Sequence, residues 1–401
     1  MKTENNLQSS YQIIVGGWYP RTQLHMVEVY KFLSEGDSEL ELSKQKLKEF
    51  HKALNIRKVT KEPGEIEYVK AETNNNLIIK YFEDGLYILK TTSNDIDGAQ
   101  KKLGEYIHNV FEPAISYIFS LGAPIPKILA GLKTPHPPIT TVIGVTSKNL
   151  KDFIVDKEKF GEVYDQSFSN EMAVFRMNKC ILIVASSAKK DLIEDVTHQQ
   201  IFFREFDAQL KSYLNIHRLI WEKIAAIKKK KEISAKEAGV FRDELDGYQE
   251  TINLINNRLN QMKVYVGTRA KAAKANQVDK YLTNLFQYEF ETLLDTHEYI
   301  RELWQMTKDY VASAIQLIVE VKNQSTERSI QTLKLITIAY ALVVIWFYLN
   351  EAPRFSVTSM IAYGLLIALA WLVNSLVNFI SRRQKYQLKF RRGTPTKEEE
   401  H

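Results

Sequence analysis

The rhythm of apolar and polar positions changes three times along the chain. In residues 11 to about 187, short apolar runs alternate with polar stretches, a pattern of strands mixed with helices. The run Tyr11-Gln12-Ile13-Ile14-Val15 predicts a strand closed by a turn at Gly16-Gly17. Residues 77–82 and 86–90 flank Glu83-Asp84-Gly85, where glycine can supply the positive φ of a tight β-hairpin. A second hairpin is predicted from residues 172–176 and 180–184 around Asn178-Lys179, and one more strand from residues 139–145. A helical stretch covers about residues 96–121. Pro124, Pro126, Pro135, Pro137 and Pro138 forbid a continuous helix after it and mark a connector. Residues 114–132 are apolar, but Gly122, the first two prolines and Lys127 interrupt them, so they are assigned to the core of this head.

Beyond about Asp191 the strand signals vanish. Apolar residues run helically through Leu214, Leu219, Trp221, Ile224 and Ile227, break at residues 228–234, and resume from 235 to about 269. Leu245, Ile252, Ile255, Leu259 and Met262 recur mostly at three- and four-residue steps, the stripe of helices packed side by side. A third helix starts near Gln277 and meets no proline or glycine until Pro353. At about 1.5 Å per residue it exceeds roughly 100 Å.

The last rhythm is two long apolar segments, 335–349 and 355–380, parted by Asn350-Glu351-Ala352-Pro353-Arg354. The second is long enough for a hydrocarbon core of about 30 Å, which needs roughly 20 apolar residues. The first is shorter, but Lys334 can snorkel and the apolar character reaches back to Ile330 and Leu333. A soluble buried hairpin is the alternative. Trp346, Tyr348 and Phe355 cluster where headgroups meet the hinge, as an aromatic belt does. Arg382, Arg383, Lys385, Lys389, Arg391 and Arg392 place the C-terminus on the cytoplasmic side. A hairpin returns the head to that side, so the expectation is a multi-pass protein of the inner (plasma) membrane with both termini cytoplasmic. The polar residues 1–10 carry no apolar signal core, which leaves insertion to the C-terminal segments.

These readings give a fold class of an α/β cytoplasmic domain plus a long helical stalk and two C-terminal transmembrane helices. The expected divisions are an α/β domain at 1–190, a helix pair at 191–276, a stalk at 277–334, transmembrane helices at 335–349 and 355–380 around an external loop at 350–354, and a basic tail at 381–401.

Composition narrows the partners. The 401 residues carry a formal net charge of +6, much of it in the tail and in Lys228-Lys229-Lys230-Lys231, which suits anionic lipid headgroups rather than nucleic acid. With Cys180 alone, no intrachain disulfide and no cysteine-built zinc site can form, and a reducing cytosol suits the head. The eight histidines make no His-x-x-x-His pair, and neither a Walker loop nor a dinucleotide fingerprint occurs. No catalytic constellation emerges, so the chain is not expected to be an enzyme. His51, His108, His136 and His217 read as surface or core residues, and Asp84 as a turn residue bonding nearby backbone.

On the third helix Asp295, Glu302, Asp309, Gln316 and Asn323 repeat every seven residues and continue as Ile330, Thr337 and Val344. This is either a solvated face or a stripe that copies of the chain turn toward a water-filled axis. One two-helix hairpin has no interior, so conduction requires a cyclic homo-oligomer.

The sequence 323–338, Asn-Gln-Ser-Thr-Glu-Arg-Ser-Ile-Gln-Thr-Leu-Lys-Leu-Ile-Thr-Ile, resembles the Asn-rich approach and Leu-Thr-Ile opening of the first membrane helix in the CorA superfamily of divalent-cation channels. The order of head, helix pair, stalk, short loop, second span and basic end is similar too. The resemblance implies a CorA-like homo-oligomer, a pentamer, with Mg2+ or another divalent cation as the transported or regulatory ion and no bound cofactor otherwise. It implies a path lined by Asn323, Glu327, Ile330, Leu333, Thr337, Ala341 and Val344, with Ile330 and Leu333 as a hydrophobic gate and Asn350 and Glu351 at the outer mouth. Arg382, Arg383, Lys385 and Lys389 would form the basic membrane-proximal group. The family's Gly-Met-Asn signature is absent, and Tyr348-Leu349-Asn350 keeps only the asparagine. Magnesium selectivity therefore does not carry over, and no metal ligands are assigned. The alternative function is a membrane-anchored CorA-like signalling or defence effector whose head binds a small molecule or protein. A tethered enzyme is the third.

Overall fold

The computed structural model describes residues 10–19, 25–119, 139–147, 149–230, 232–350 and 385–387, with scattered positions of the second apolar segment between 357 and 379. In chain order the elements are β1 (Tyr11–Trp18), α1 (Met26–Glu35), α2 (Lys44–Leu54), β2 (Ile56–Glu62), β3 (Tyr68–Thr73), β4 (Ile78–Phe82), β5 (Leu86–Ser93) and α3 (Ile96–Tyr106). A π-helical turn at Ile107–Phe111 joins α3 to α4 (Glu112–Ile118). Next come β6 (Thr140–Thr146), the short α5 (Lys157–Phe160), β7 (Val163–Phe168), β8 (Met172–Met177) and β9 (Cys180–Ser186). Three long helices follow: α6 (Lys190–Lys229), α7 (Ala235–Ala275, after the strand β10 at Glu232–Ser234) and α9 (Phe290–Asn350), with a one-turn α8 (Asp279–Tyr281) before the last. A final strand, β11, is Lys385–Gln387. The chain divides into two compact units, Met1–Asn215 with Leu254–Trp304 and Ile216–Asn253 with Gln305–His401.

The first unit is built on a nine-stranded sheet in the order β2-β3-β4-β5-β1-β6-β9-β8-β7. All neighbours are antiparallel except the parallel pair β6 and β9. Strand alternation sends Ile13, Val15, Ile79, Leu89 and Leu182 to one face, where they join a core with Phe32 of α1, Leu47 of α2 and Leu103 of α3. On the other face Trp18 meets Phe202 and Phe206 of α6 at ring-centroid distances of 6.1 and 5.3 Å. Central strands covered on both faces are apolar throughout, as β9 is over its first six residues. The edge strands are mostly polar, which blunts open pairing.

Three expectations need correction. The turn at Gly16-Gly17 is instead the continuation of β1, whose Gly16 and Gly17 pair with Ile88 and Tyr87. A Cβ on Gly16 would lie 2.7 Å from Ile88 Cδ1 and 3.1 Å from Ile201 Cγ2, and one on Gly17 would strike the Tyr87 ring. These glycines mark close approach, not a reversal. The long helix starts at Phe290 rather than near Gln277. Gln277 and Gln287 both take left-handed φ values, 55° and 58°, around α8 and a π-helical turn. The break lets Tyr288 stack on Phe203 at 5.0 Å while Phe290 meets the same ring at 4.4 Å.

Asp84 is more than a turn residue. Its carboxylate accepts the Leu86 N–H at 3.1 Å, as the turn requires, and also both arms of the Arg269 guanidinium, Nε at 2.6 Å and Nη2 at 3.0 Å. Its carbonyl accepts the Trp18 indole N–H at 2.8 Å. The pair is 2% and 3% exposed, and the guanidinium lies between Phe82 and Phe202 at 4.9 and 5.1 Å. A fork on a carboxylate, flanked by two rings, ties the β4–β5 hairpin to α7.

The second unit holds the last part of α6, the first part of α7 and the larger part of α9. Ile220, Ile224 and Ile227 of α6, Leu245 and Ile252 of α7, and Val311, Ala314, Ile318 and Val321 of α9 are buried in it. Trp221 stacks on Tyr310 with centroids 4.5 Å apart. β10 pairs antiparallel with β11, Ile233 opposite Tyr386.

The Asp84–Arg269 fork generates a prediction. Asp84→Asn or Arg269→Met leaves one charge buried without its partner and lowers stability by about 3 to 5 kcal/mol. Arg269→Lys does not restore it, since an ammonium can neither bridge both oxygens nor stack. Urea midpoints of the detergent-solubilised chain measure this; a loss under about 1 kcal/mol, within ordinary surface-substitution range, overturns it.

Candidate functional site

On α9 the buried positions in the first unit are Leu293, His297, Ile300 and Trp304, and in the second Thr307, Val311, Ala314, Ile318 and Val321. Their alternating steps of four and three define the face that packs on the chain itself. After Val321 no described residue of the helix is buried. Leu335, Ile338, Leu342, Ile345 and Trp346 are more than half exposed although the stretch is apolar. Among the described residues one helix, within Phe290–Trp346, is long and apolar enough to cross a membrane, and none of its apolar window is buried. A soluble core helix would be mostly buried.

The expected path residues fall on this uncovered part. Asn323, Glu327, Ile330, Leu333, Thr337 and Ala341 are exposed and Val344 is half-buried. At 100° per residue they span an arc of roughly 120°, so they share one side. Ile330, Leu333, Lys334, Thr337 and Ile338 line a shallow open groove. The Thr337 hydroxyl donates to the Leu333 carbonyl at 2.9 Å, and Thr326, Ser329 and Thr332 donate in the same way to the carbonyls of Lys322, Ser325 and Arg328. Each hydroxyl thus satisfies its proton within the helix and keeps lone pairs outward. Asn350 is the last residue of α9, with its side chain outside the described residues; Glu351, Arg382, Arg383 and Lys389 lie outside them too. Lys385 opens β11. The described positions of the second apolar segment, among them Met360, Leu365, Trp371 and Phe379, are helical and exposed.

The β10–β11 pairing sets a level for this part of the second unit. From Trp221, α6 runs eight more residues to its end at Lys229, and eight residues from Tyr310 along α9 reach Ile318, one step short of Val321. The tip of the α6–α7 hairpin therefore lies near the end of the buried stripe. The chain passes about 44 Å beyond that level along α9, at 1.5 Å per residue, and is back at it by Lys385.

A second site in the first unit was missed by sequence reasoning. Glu194 of α6 accepts Lys80 Nζ at 2.5 Å and Lys90 Nζ at 2.9 Å, binding β4 and β5 to the helix. Partial burial alone would raise the Glu194 carboxyl; charge on the neighbouring His198, together with the Lys80 and Lys90 ammonium groups bonded to it, outweighs that and holds it down at about 2. One turn on, His198 is buried with Nε2 3.5 Å from Glu194 and no hydrogen-bond partner, its ring edge-on to Phe82 at 5.4 Å. Burial, aided by the nearby Lys80 charge, pushes the imidazole down to about 3. At neutral pH it is uncharged, so the lysines alone hold Glu194 ionised. Asp195 is pushed up by burial and accepts Asn276 Nδ2 at 3.3 Å. The signal was present: Lys80 and Lys90 interrupt apolar strand runs, and Glu194 and His198 stand four apart between Ile193, Val196 and Ile201. Among the described residues no group of three or more His, Cys, Asp or Glu converges as metal ligands.

No protein-family model matches the chain, and no curated protein matches it by sequence. Among solved structures, the CorA magnesium transporter from Methanocaldococcus jannaschii aligns at 11% identity over 62% of this chain and 92% of that one, with a TM-score of 0.25.

The buried histidine makes stability depend on pH. Its folded value lies below the unfolded value of about 6.5, so the folded state binds fewer protons and stability is lost as pH falls from 6.5 toward 3. Glu194 adds a loss of the same sign only below about 4.5. Between pH 6.5 and 5 the His198 contribution is on the order of 2 kcal/mol. Melting temperatures across this range should fall for the native chain and fall less for His198→Phe; equal slopes would show that His198 is protonated freely when folded.

Proposed function

We propose that the chain is a CorA-like membrane cation channel or transporter, a cyclic homo-oligomer and most simply a pentamer. Its ion path is lined by α9 from Asn323 to Val344. The head and the α6–α7 hairpin lie on the cytoplasmic side and gate the path. Asn350 and Glu351 stand at the outer mouth.

The observation that carries the reading is the fate of α9 beyond Val321. None of its described residues is fully buried, its flanks from Leu335 onward are Leu, Ile, Val and Trp, and one side carries Asn323, Glu327 and Thr337. Lipid accepts the apolar flanks because the backbone is satisfied within the helix. Thr337 lies within the apolar span, and Asn323 and Glu327 stand on the same side of the helix just before it; this side faces an interior built from several copies. Amide and hydroxyl oxygens can then stand in for hydration water, the carboxylate ring concentrates cations, and Ile330 and Leu333 form a constriction that shuts by dewetting. The return of the chain to the hairpin tip at β11 supports two crossings with both ends on one side.

Flux into liposomes bearing the purified chain tests this, with Mg2+ and monovalent cations read separately. Leu333→Asn wets the constriction and should raise resting flux several-fold, while Glu327→Gln should lower cation flux several-fold. If the native chain and Leu333→Asn are equally silent under every cation, the chain is an anchored scaffold whose head carries the activity.

A further inference from the structure

The β10–β11 pairing joins segments far apart in sequence, with Glu232 opposite Gln387, Ile233 opposite Tyr386 and Ser234 opposite Lys385. Its first strand is firmly held. Ser234 caps α7: its hydroxyl accepts the Glu237 N–H at 3.2 Å, and the Glu237 carboxylate accepts the Ser234 N–H at 2.9 Å. This reciprocal capping box fixes the hairpin tip, and Ile233, just before Ser234, is fully buried.

Basic residues from two parts of the chain are brought to neighbouring backbone positions there. Lys229 and Lys230 close α6, Lys236 lies in the first turn of α7, and the pairing adds Lys385. The acids at the same place are Glu232 and Glu237, and the second is engaged by the cap. Lys230 is held 3.5 Å from Glu237 and 4.5 Å from the Phe241 ring centroid, yet is nearly half exposed. Four lysines against two glutamates leave an excess of positive charge.

Position selects the partner. The tip stands near the level of Val321, and the next large apolar residue exposed on α9 is Ile330, nine residues or roughly 14 Å further along. A lysine side chain and a Debye length of about 8 Å span that gap to the headgroup layer. We propose that the β10–β11 pairing assembles one headgroup site for anionic lipid from two basic segments, Lys229 and Lys230 at the end of α6 and Lys385 at the start of β11. The site rests on the membrane reading above but not on ion conduction. Because β11 follows the second apolar segment, lipid held by both strands fastens the exit of that segment to the hairpin tip.

Disulfide formation between Glu232→Cys and Gln387→Cys in the full chain tests it. Registered partners lie close enough for the bond, and native Cys180 is buried with its thiol pushed up to about 11. Oxidation is followed in phosphatidylcholine vesicles with and without phosphatidylglycerol. A product at monomer mobility should form several-fold faster with phosphatidylglycerol, and Lys229→Gln with Lys230→Gln should remove the acceleration while crosslinking in neutral vesicles persists. In direct vesicle binding each lysine lost should weaken preference for the anionic lipid about fivefold. The proposal is overturned by no crosslink, by a rate indifferent to phosphatidylglycerol, by acceleration that survives both substitutions, or by inorganic phosphate reproducing it in neutral vesicles. Loss of flux with the lipid effect intact would sink conduction alone, whereas a chain that does not float with vesicles sinks both.

Discussion

An apolar helix surface that its own chain leaves bare has to be covered by something else. Helices owe most of their stability to packing of an apolar face, and α9 has such packing only as far as Val321. Beyond that point Leu335, Ile338, Leu342 and Trp346, all more than half exposed, share one apolar flank. Every functional reading here descends from this imbalance. Lipid and further copies of the chain are the two covers that fit, and the hydroxyls returned to their own i−4 carbonyls make the helix acceptable to either.

The head solves a different problem, holding a sheet buried on both faces against a helix that crosses it. Apolar contact alone is non-directional. Two charged ties supply direction: the Asp84–Arg269 fork fixes the β4–β5 turn to α7, and the Lys80–Glu194–Lys90 group fixes β4 and β5 to α6. Phe82 connects them, since its ring packs on both Arg269 and His198. Buried ion pairs of this kind contribute little net stability over apolar replacements but exclude alternative packings, because any shift strands a charge.

The sequence was most readable where one force acts alone. The hairpins β4–β5 and β8–β9, the strand β6 and the helices α6 and α7 follow from apolar period and turn residues, and their ladders and burial agree. Edge strands β2 and β7 escaped because their exposed positions dilute the apolar pattern to that of a loop. Gly16-Gly17 misled because glycine serves close approach as well as reversal, and only the neighbours Ile201 and Tyr87 decide between them. Gln277 and Gln287 hid the break before α9, since the left-handed region carries no mark in a glutamine. The ionic groups needed partners about a hundred or more residues away, which no local pattern announces.

The heptad of polar residues on α9 is weaker support for a pore than its regularity suggests. Ile300, Trp304, Thr307, Val311, Ala314, Ile318 and Val321 already impose steps of four and three on the helix. Glu302, Asp309, Gln316 and Asn323 lie two residues from that stripe, about 200° around the axis, so they inherit its period as an opposite face would. After Val321 the stripe continues only as half-buried positions, at Ser325, Ser329, Thr332, Ile336, Tyr340 and Val344. There the side bearing Glu327, Thr337 and Ala341 stays exposed, apolar flanks accompany it from Leu335 onward, and the Thr337 hydroxyl donates within its own helix. Under the membrane reading proposed above, Thr337 is the polar residue of that side within the apolar span, and several copies around one axis would give it polar surroundings.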